Sequence, residues 1–223
     1  MCGRFVRTFK VADLVDELGV SAEGAEELPA NWNIPPTSRL QVIGNRDGNR
    51  VVRVMEWGLI PRWAKDDSRQ SSMINARVET AQEKPAFRNL VKSHRVVVPM
   101  TGFYEWERSG QAKIPYYFTP TDTEMLPVAG LWSSWSGGAD GQSRSTVAIL
   151  TTQANDDMAG IHDRMPCLLR PEEITDWLDP EIGATEVLGP LRSLGPGVLT
   201  HRRVSSRVNS VRNNGADLLV GED

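Results

Sequence analysis

The sequence has little of what builds a metal centre or a disulfide-stabilised fold. It contains two cysteines, Cys2 and Cys167, without a Cys-x-x-Cys spacing, and three histidines that are widely separated. Structural zinc sites and secreted disulfide frameworks need several such residues at short, regular spacings. The sequence therefore predicts no metal and no cofactor, and two unpaired thiols favour a reducing compartment, which makes the cytoplasm the expected location.

Long apolar runs are also missing. The longest extend over a few residues, such as Val96-Val97-Val98, whereas a membrane-spanning helix needs about 20. The first residues do not resemble a signal peptide either, so no membrane association is predicted. A hydrophobic content of 39% in 223 residues is sufficient for a sizeable core. The length favours one domain, residues 1–223.

The net charge of −4 is weak evidence against a nucleic-acid partner, but the charges are unevenly distributed. Residues 11–28 carry six acidic and no basic side chains, whereas residues 29–99 carry twelve basic and six acidic ones. Residues 199–214 carry four arginines and no acid. An acidic protein with two basic segments can present a basic groove, although ordinary surface charge explains the same pattern.

Several short β-type runs, separated by turn residues, determine the predicted fold. Residues 45–48, which include Asp47-Gly48, predict a hairpin between strands at 40–43 and 50–57, and residues 95–100 predict a buried strand. Residues 31–37 contain two prolines and predict a stiff extended loop, and residues 198–208 predict a last long strand. Helices are predicted at 11–19, at about 78–94 with an interruption around Pro85, and at 171–178. The fold class is therefore α+β, dominated by antiparallel sheet.

Cys2 is the most distinctive residue chemically. If Met1 is removed, Cys2 carries an α-amine and a thiol on adjacent carbons, with ordinary pKa values of about 7.7–8.0 and 8.5, so that a useful fraction of each is unprotonated near neutral pH. The amine can form an imine with an aldehyde, and the sulfur can then close a five-membered thiazolidine ring. The alternative is an incidental small residue in a frayed terminus.

Glu105 and His162 are candidates for proton transfer. In an alternating strand Glu105 is flanked by Tyr104 and Trp106, and a carboxyl in apolar surroundings can act as an acid or base near pH 7. A solvent-facing glutamate on a half-exposed strand is the alternative. His162 follows Gly160 in a loop segment with charged neighbours, where a histidine is suited to proton transfer.

Seven stretches together resemble the SRAP family, the SOS-response-associated peptidase-like proteins that shield abasic sites in single-stranded DNA. The resemblance extends from residue 2 to about residue 218, the expected core of the domain. The stretches are Cys2-Gly3-Arg4-Phe5, Asn33-Ile34-Pro35-Pro36, Trp57-Gly58, residues 74–80, Gly102-Phe103-Tyr104-Glu105-Trp106, His162-Asp163-Arg164-Met165-Pro166 and Val208-Asn209.

The resemblance implies a barrel-like antiparallel core with peripheral helices and a covalent reaction with DNA. Cys2 would trap the ring-opened aldehyde of an abasic site as a thiazolidine, and Asn75 would hold the terminal amine or the sugar. Glu105 would act as acid and base in imine formation, and His162 would assist sugar ring opening and release of the crosslink.

The implied partner is single-stranded DNA that contains abasic sites, bound by a monomer associated with damaged DNA of the nucleoid. Arg4, Arg77 and Arg164 would hold phosphates, while Trp106 and Pro36 would pack against bases. Trp63, beside Arg62 and Lys65, is a further candidate for stacking.

Two other functions are compatible with the same residues. Cys2, His162 and Glu105 are the residue types of a cysteine-type peptidase or hydrolase, whose mildest activity would be removal of its own first residue. A non-covalent module for single-stranded DNA, with an inert Cys2, would bind intact and abasic strands equally.

Overall fold

Twelve strands, arranged in two sheets, form the framework of the part of the chain that the structure describes. The structure is a computed structural model, and it describes residues 2–110, 112–138, 141–192 and 195–222. Met1, whose removal the sequence analysis expects, lies outside these ranges. The strands are β1 (Phe5–Arg7), β2 (Asn31–Ile34), β3 (Arg39–Arg46), β4 (Asn49–Trp57), β5 (Asn75–Arg77), β6 (Arg95–Met100), β7 (Gly102–Ser109), β8 (Ala112–Pro120), β9 (Leu126–Trp135), β10 (Arg144–Gln153), β11 (Arg164–Pro166) and β12 (Leu199–Arg203).

The helices are short and peripheral. None in the described ranges is both long and apolar enough to cross a membrane. The α-helices are α1 (Val11–Leu18), α2 (Leu90–Ser93), α3 (Glu173–Leu178) and α4 (Ala184–Leu188). Single 3-10 turns are formed by Gln70–Ser72, Val78–Thr80, Pro190–Arg192, Ser206–Asn209 and Ala216–Leu219.

Five strands close into a barrel in the order β10-β4-β3-β6-β9, with β9 pairing back to β10. The pairings are antiparallel except that of β10 with β4, which is parallel. All six residues of β6 are buried, because this strand of β-branched residues lies between β3 and β9. The predicted α+β class with an antiparallel, barrel-like core is confirmed.

A second sheet, in the order β12-β8-β7-β1-β2, packs against the barrel. The rings of Phe5 and Trp57 meet edge to face with centroids 5.0 Å apart, and Phe103 and Phe118 stack at 5.1 Å. These rings share one buried cluster with Cys2 and with barrel residues. Cys2 therefore lies at the junction of the two sheets.

The hairpin between β3 and β4 agrees with the sequence prediction. Asp47 and Gly48 both have positive φ angles, 53° and 83°. Two adjacent residues with positive φ form the type I′ turn whose twist matches the twist of paired strands. The hairpin register then runs without interruption from Arg46 and Asn49 to Arg39 and Glu56.

Three element predictions are wrong. Residues 31–34 form the strand β2 because they pair with β1, and Pro35 and Pro36 end it rather than exclude it. The stretch at 78–94, predicted as helical with an interruption around Pro85, forms only a 3-10 turn, a run of turns and the four-residue α2; Pro85 lacks the amide donor that a continuous helix needs. The last strand ends at Arg203, and the chain then forms the 3-10 turn Ser206–Asn209.

Candidate active site

Cys2 is buried, with no exposed surface, and Gly3 and Arg4 connect it to β1. β1 is held between β2 and β7, with Phe5 opposite both Ile34 and Phe103. The pairing of β1 with both neighbours therefore holds the segment before β1, which contains Cys2, in a defined position. The interpretation of Cys2 as part of a frayed terminus is wrong.

Glu105 reaches the same place from β7. The amide of Tyr104 donates to the carbonyl of Arg4 at 2.9 Å, so the antiparallel pairing brings Glu105 alongside Gly3 and next to Cys2. The Glu105 side chain is only 3% exposed. The alternative of a solvent-facing glutamate on a half-exposed strand is therefore wrong.

The Cys2 thiol is kept protonated at neutral pH. Burial raises its pKa well above the usual range, and the negative charge of Glu105 raises the pKa further; the charge of the N-terminal amine, and then a hydrogen bond from the backbone of Arg4, act in the opposite direction. Burial therefore works against the fraction of thiolate expected near pH 7 for an exposed N-terminal cysteine. A thiol of this kind needs a base to take its proton as the sulfur attacks.

Asn75 connects β5 to Cys2. β5 pairs in parallel with β10, with Asn75 opposite Ile149, and Asn75 Nδ2 donates to the Cys2 carbonyl at 2.9 Å. The other end of the amide, Oδ1, is buried and accepts no hydrogen bond from the described residues. Asn75 therefore holds the Cys2 backbone through Nδ2, and its Oδ1 is a hydrogen-bond acceptor on the same side chain.

His162 lies shortly before β11. The strand β11 pairs with the end of β10, and β5 pairs with the middle of β10. Its Nδ1 lies 2.9 Å from the Arg164 amide and 3.1 Å from the Asp163 carboxylate. One nitrogen cannot both accept from the amide and donate to the carboxylate. The Asp163 side chain is 88% exposed, so we take the backbone contact as the fixed one. The proton of the neutral ring is then on Nε2, which acts as a donor.

Arg4 and Arg164 are engaged within the protein. Arg4 Nη1 donates to Asn33 Oδ1 at 2.7 Å and to the Val208 carbonyl at 3.0 Å. Arg164 forms a two-pronged pair with Glu79, at 2.6 and 2.9 Å, and also donates to the Thr151 carbonyl at 2.6 Å. Their role at phosphates stays a prediction, and such contacts would have to use the remaining nitrogens.

Asn33 is a residue to which sequence reasoning assigned no role. It is buried, and its Nδ2 donates to the carbonyls of Val208, Ser210 and Asn213 at 3.3, 3.0 and 2.8 Å. The sequence signal that could have identified Asn33 was its place in the motif Asn33-Ile34-Pro35-Pro36. Asn33 joins β2 to the C-terminal segment, residues 206–214, on which Arg4 also depends.

Trp106 and Pro36, the candidates for packing against bases, are both half-buried. Trp106 Nε1 donates to Asn209 Oδ1 at 2.7 Å, and the Arg4 guanidinium lies over the Trp106 ring at 6.0 Å. Pro36 follows the end of β2. The C-terminal segment thus also fixes the orientation of the Trp106 ring.

A groove of about 770 Å³ extends from Asn75 and Arg77. We call it the basic groove because four basic side chains and one acidic one, Asp66, are among its lining residues. Trp63 forms part of its wall and is 70% exposed, so it is not core. Cys2, Glu105 and His162 are not among the lining residues. The basic ones are Lys65, Arg69, Arg77 and Lys84.

The segment 61–72, here called the Trp63 arm, carries one wall of this groove and is fixed to the barrel. Arg144 pairs with Glu56 of β4 and donates to Asp67 Oδ2 at 2.7 Å and Gln70 Oε1 at 2.8 Å. Trp135 Nε1 donates to the Ala64 carbonyl at 2.8 Å. The arm is therefore held in place before any ligand binds.

Gly58 sets the start of the Trp63 arm, and we predict that Gly58→Ala disturbs it. Gly58 has φ 117°, and a Cβ there would lie 2.5 Å from the Gln70 carbonyl oxygen. In Gly58→Ala, the unfavourable φ angle and the clash with the Gln70 carbonyl together should lower the free energy of unfolding by about 1–3 kcal/mol. Urea unfolding measures this. Gly24→Ala is the matched control, because Gly24 has φ 68° but open space around it; an equal loss in both variants would contradict the proposed clash.

The described residues contain no group of three or more His, Cys, Asp or Glu side chains placed to hold a metal ion.

The family model described as SOS response associated peptidase (SRAP) matches residues 1–211. The abasic site processing protein YoaM of Bacillus subtilis (strain 168) is 36% identical over 226 residues, covering 100% of this chain and 99% of YoaM. The abasic site processing protein HMCES of Gallus gallus is 35% identical over 208 residues, covering 82% of this chain and 61% of HMCES.

Solved structures agree with the fold. A crystal structure of a protein from Bacteroides thetaiotaomicron superposes with a TM-score of 0.85 at 24% identity, covering 99% of this chain and 100% of that one. At that identity the likeness concerns the arrangement of strands and helices and not the chemistry.

Proposed function

The chain belongs to the SOS response associated peptidase (SRAP) family, and from this premise we propose that it processes abasic sites in DNA by capturing them covalently. The substrate is a single strand that carries an abasic site, and the product is a thiazolidine between Cys2 and C1′ of the ring-opened sugar. Removal of Met1 is required, because an amide nitrogen cannot form the imine.

One observation carries the proposal: Asn75 and Glu105, which are far apart in sequence, both act on Cys2 near the start of the chain. Asn75 holds the Cys2 carbonyl at 2.9 Å, and the charge of Glu105 acts on the Cys2 thiol. A buried thiol next to a buried carboxylate is a costly arrangement without a chemical use. Imine formation and ring closure by sulfur provide that use.

The reaction balances without a cofactor. The α-amine of Cys2 attacks the aldehyde carbon, and loss of the aldehyde oxygen as water gives the imine. The thiol then adds to the imine carbon, its proton is transferred to the nitrogen, and the ring is closed. One C–N bond and one C–S bond have formed, and one water has left. Removing the imine suppresses β-elimination of the 3′ phosphate, so the strand stays intact.

The side chains have separate roles in this sequence. Asn75 Oδ1 accepts a hydrogen bond from the α-amine and orients its lone pair toward the aldehyde. Glu105 takes a proton from the nitrogen as the amine adds and gives it to the departing water. It then passes the proton of the thiol, which burial keeps protonated at neutral pH, to the nitrogen as the sulfur closes the ring. His162 Nε2–H donates to the ring oxygen of the sugar as the ring opens.

The basic groove positions the strand. Arg77 is exposed and has no ion-pair partner among the described residues, so its guanidinium is available to a phosphate beside Asn75. Trp63 offers an exposed ring to a base. Contacts of this type are tolerant of sequence and sensitive to salt. Arg4, Arg164, Trp106 and Pro36 complete the proposed interface near the lesion.

Intact mass spectrometry tests the proposal. The purified protein is measured before and after mixing with a single-stranded oligonucleotide that carries one abasic site. We expect loss of Met1 and then a mass increase equal to the oligonucleotide less one water. A protein with a free Cys2 that binds the strand but gives no such increase would overturn the covalent mechanism.

A further inference from the structure

A second hollow lies on the far side of Trp63. Its volume is about 540 Å³, and it shares four wall residues with the basic groove. We call it the rear hollow; the side chains that distinguish it are Arg62, Asn89, His94, Ser133, Ser134 and Ser136. The shared wall residues are Pro61, Trp63, Pro85 and Ala86.

The rear hollow combines apolar wall residues with several neutral polar side chains and one charged side chain. Arg62 is exposed, and no acidic side chain lines the hollow. Burial, and then the nearby charge of Arg62, lower the pKa of His94, which favours a neutral ring at neutral pH. That ring lies against Trp132 with centroids 4.9 Å apart, and its Nδ1 is 3.0 Å from Ser93 Oγ. The wall therefore combines fixed neutral hydrogen-bonding groups with one cation.

The size and lining fit one class of ligand. The volume lies within the range of about 300–1,000 Å³ that is typical of small-molecule sites. Hydroxyl, amide and imidazole groups can bond the edge of a nucleobase, the ring of Trp63 can contact its face, and an arginine at the rim can hold its phosphate. The hollow also adjoins the basic groove, because four residues line both.

We propose that the rear hollow binds the base of a nucleotide flanking the lesion, with the strand turning around Trp63 and Arg62 contacting the phosphate of that nucleotide. This inference rests on the proposed function, because it takes the basic groove as the path of the strand. The protein then recognises one ordinary nucleotide at a defined distance from the abasic site.

A flank-length series tests this. Binding is measured with oligonucleotides that carry an unreactive abasic analogue and an increasing number of nucleotides on the 5′ or the 3′ side. We expect a step in affinity at one flank length on one side. Replacing the base at that position by a second abasic analogue should lose about fivefold or more of the affinity.

Arg62→Gln should reduce the same step and leave the affinity for shorter oligonucleotides unchanged. Arg88→Gln is the matched control, because Arg88 is exposed on the neighbouring segment and lines neither hollow. Ser136→Trp narrows the hollow from its rim without changing the charge, and it should also remove the step. Each variant should form the adduct with a short abasic oligonucleotide as fast as the wild type.

The outcomes separate the two proposals. A step that persists in both Arg62→Gln and Ser136→Trp, or that does not depend on the base, would overturn the rear hollow as a base site while leaving covalent capture intact. Absence of strand binding and of any adduct would overturn both.

Discussion

Cys2→Ala is expected to abolish the heat-stable adduct with an abasic oligonucleotide while leaving the affinity for the intact strand unchanged. Alanine retains the α-amine after removal of Met1, so an imine still forms. Without sulfur, however, the ring cannot close. The imine then has two outcomes, hydrolysis back to the aldehyde or β-elimination of the 3′ phosphate. On a denaturing gel the adduct band should be replaced by cleaved strand.

The second cysteine provides the control for this experiment. Cys167 is buried like Cys2, and burial raises the pKa of its thiol in the same way, but it belongs to a different core cluster. Cys167→Ala should therefore form the adduct normally. A heat-stable adduct in Cys2→Ala would show that another nucleophile is used, and absence of adduct in all variants would favour the non-covalent binding module.

The structure also bears on the hydrolase alternative. Cysteine hydrolases depend on a thiolate held by a neighbouring histidine, which lowers the pKa of the thiol. Here burial and the charge of Glu105 raise the pKa of Cys2 instead. An environment of this kind suits a thiol that reacts once, with a proton acceptor beside it, better than one that turns over peptides.

Glu105→Gln is expected to slow adduct formation by about 10²–10⁴-fold, the usual contribution of a positioned acid or base. Glutamine keeps the shape of the side chain but cannot accept the thiol proton. The substitution also has an opposing effect, because removal of the negative charge lowers the pKa of Cys2. Burial is the larger cause of the raised pKa, so the thiol stays protonated and the loss of the base dominates.

Single-turnover kinetics distinguish the role of Glu105 from a loss of structure. Glu107→Gln is the matched control: Glu107 lies two residues further along β7 and accepts a hydrogen bond of 3.1 Å from the Tyr116 hydroxyl. We expect unchanged strand affinity in both variants and slow chemistry in Glu105→Gln alone. Equal rates in Glu105→Gln and the wild type would remove Glu105 from the mechanism.

Local sequence signals predicted those parts of the fold whose cause is local. Asp47-Gly48 specified the hairpin because two positive φ angles are needed at that turn. The β-branched run Val96-Val97-Val98 predicted a buried strand because it lacks polar alternation. The grouping of Cys2, Asn75 and Glu105 came from resemblance to a family, because no property of their spacing brings them together.

What the sequence did not predict depends on contacts between distant segments. Residues 31–34 form a strand because β1 offers them an edge. The pairing of Arg164 with Glu79 removes much of a positive charge that was expected to face phosphates. The protonated state of Cys2 results from burial between two sheets, which neighbouring residues in the sequence do not indicate.

The position of Cys2 has a consequence for the order of events during synthesis. The groups that surround it lie on segments made later: Asn75 holds its carbonyl, and β7 with Glu105 pairs with the strand that follows it. At about 5–20 residues per second, the ribosome needs about 5–20 s to reach residue 105. During that interval the start of the chain is accessible to an enzyme that removes Met1. We therefore expect removal of Met1 to be a co-translational event, because in a chain that folds with Met1 still attached the Cys2 nitrogen is an amide, which cannot form an imine.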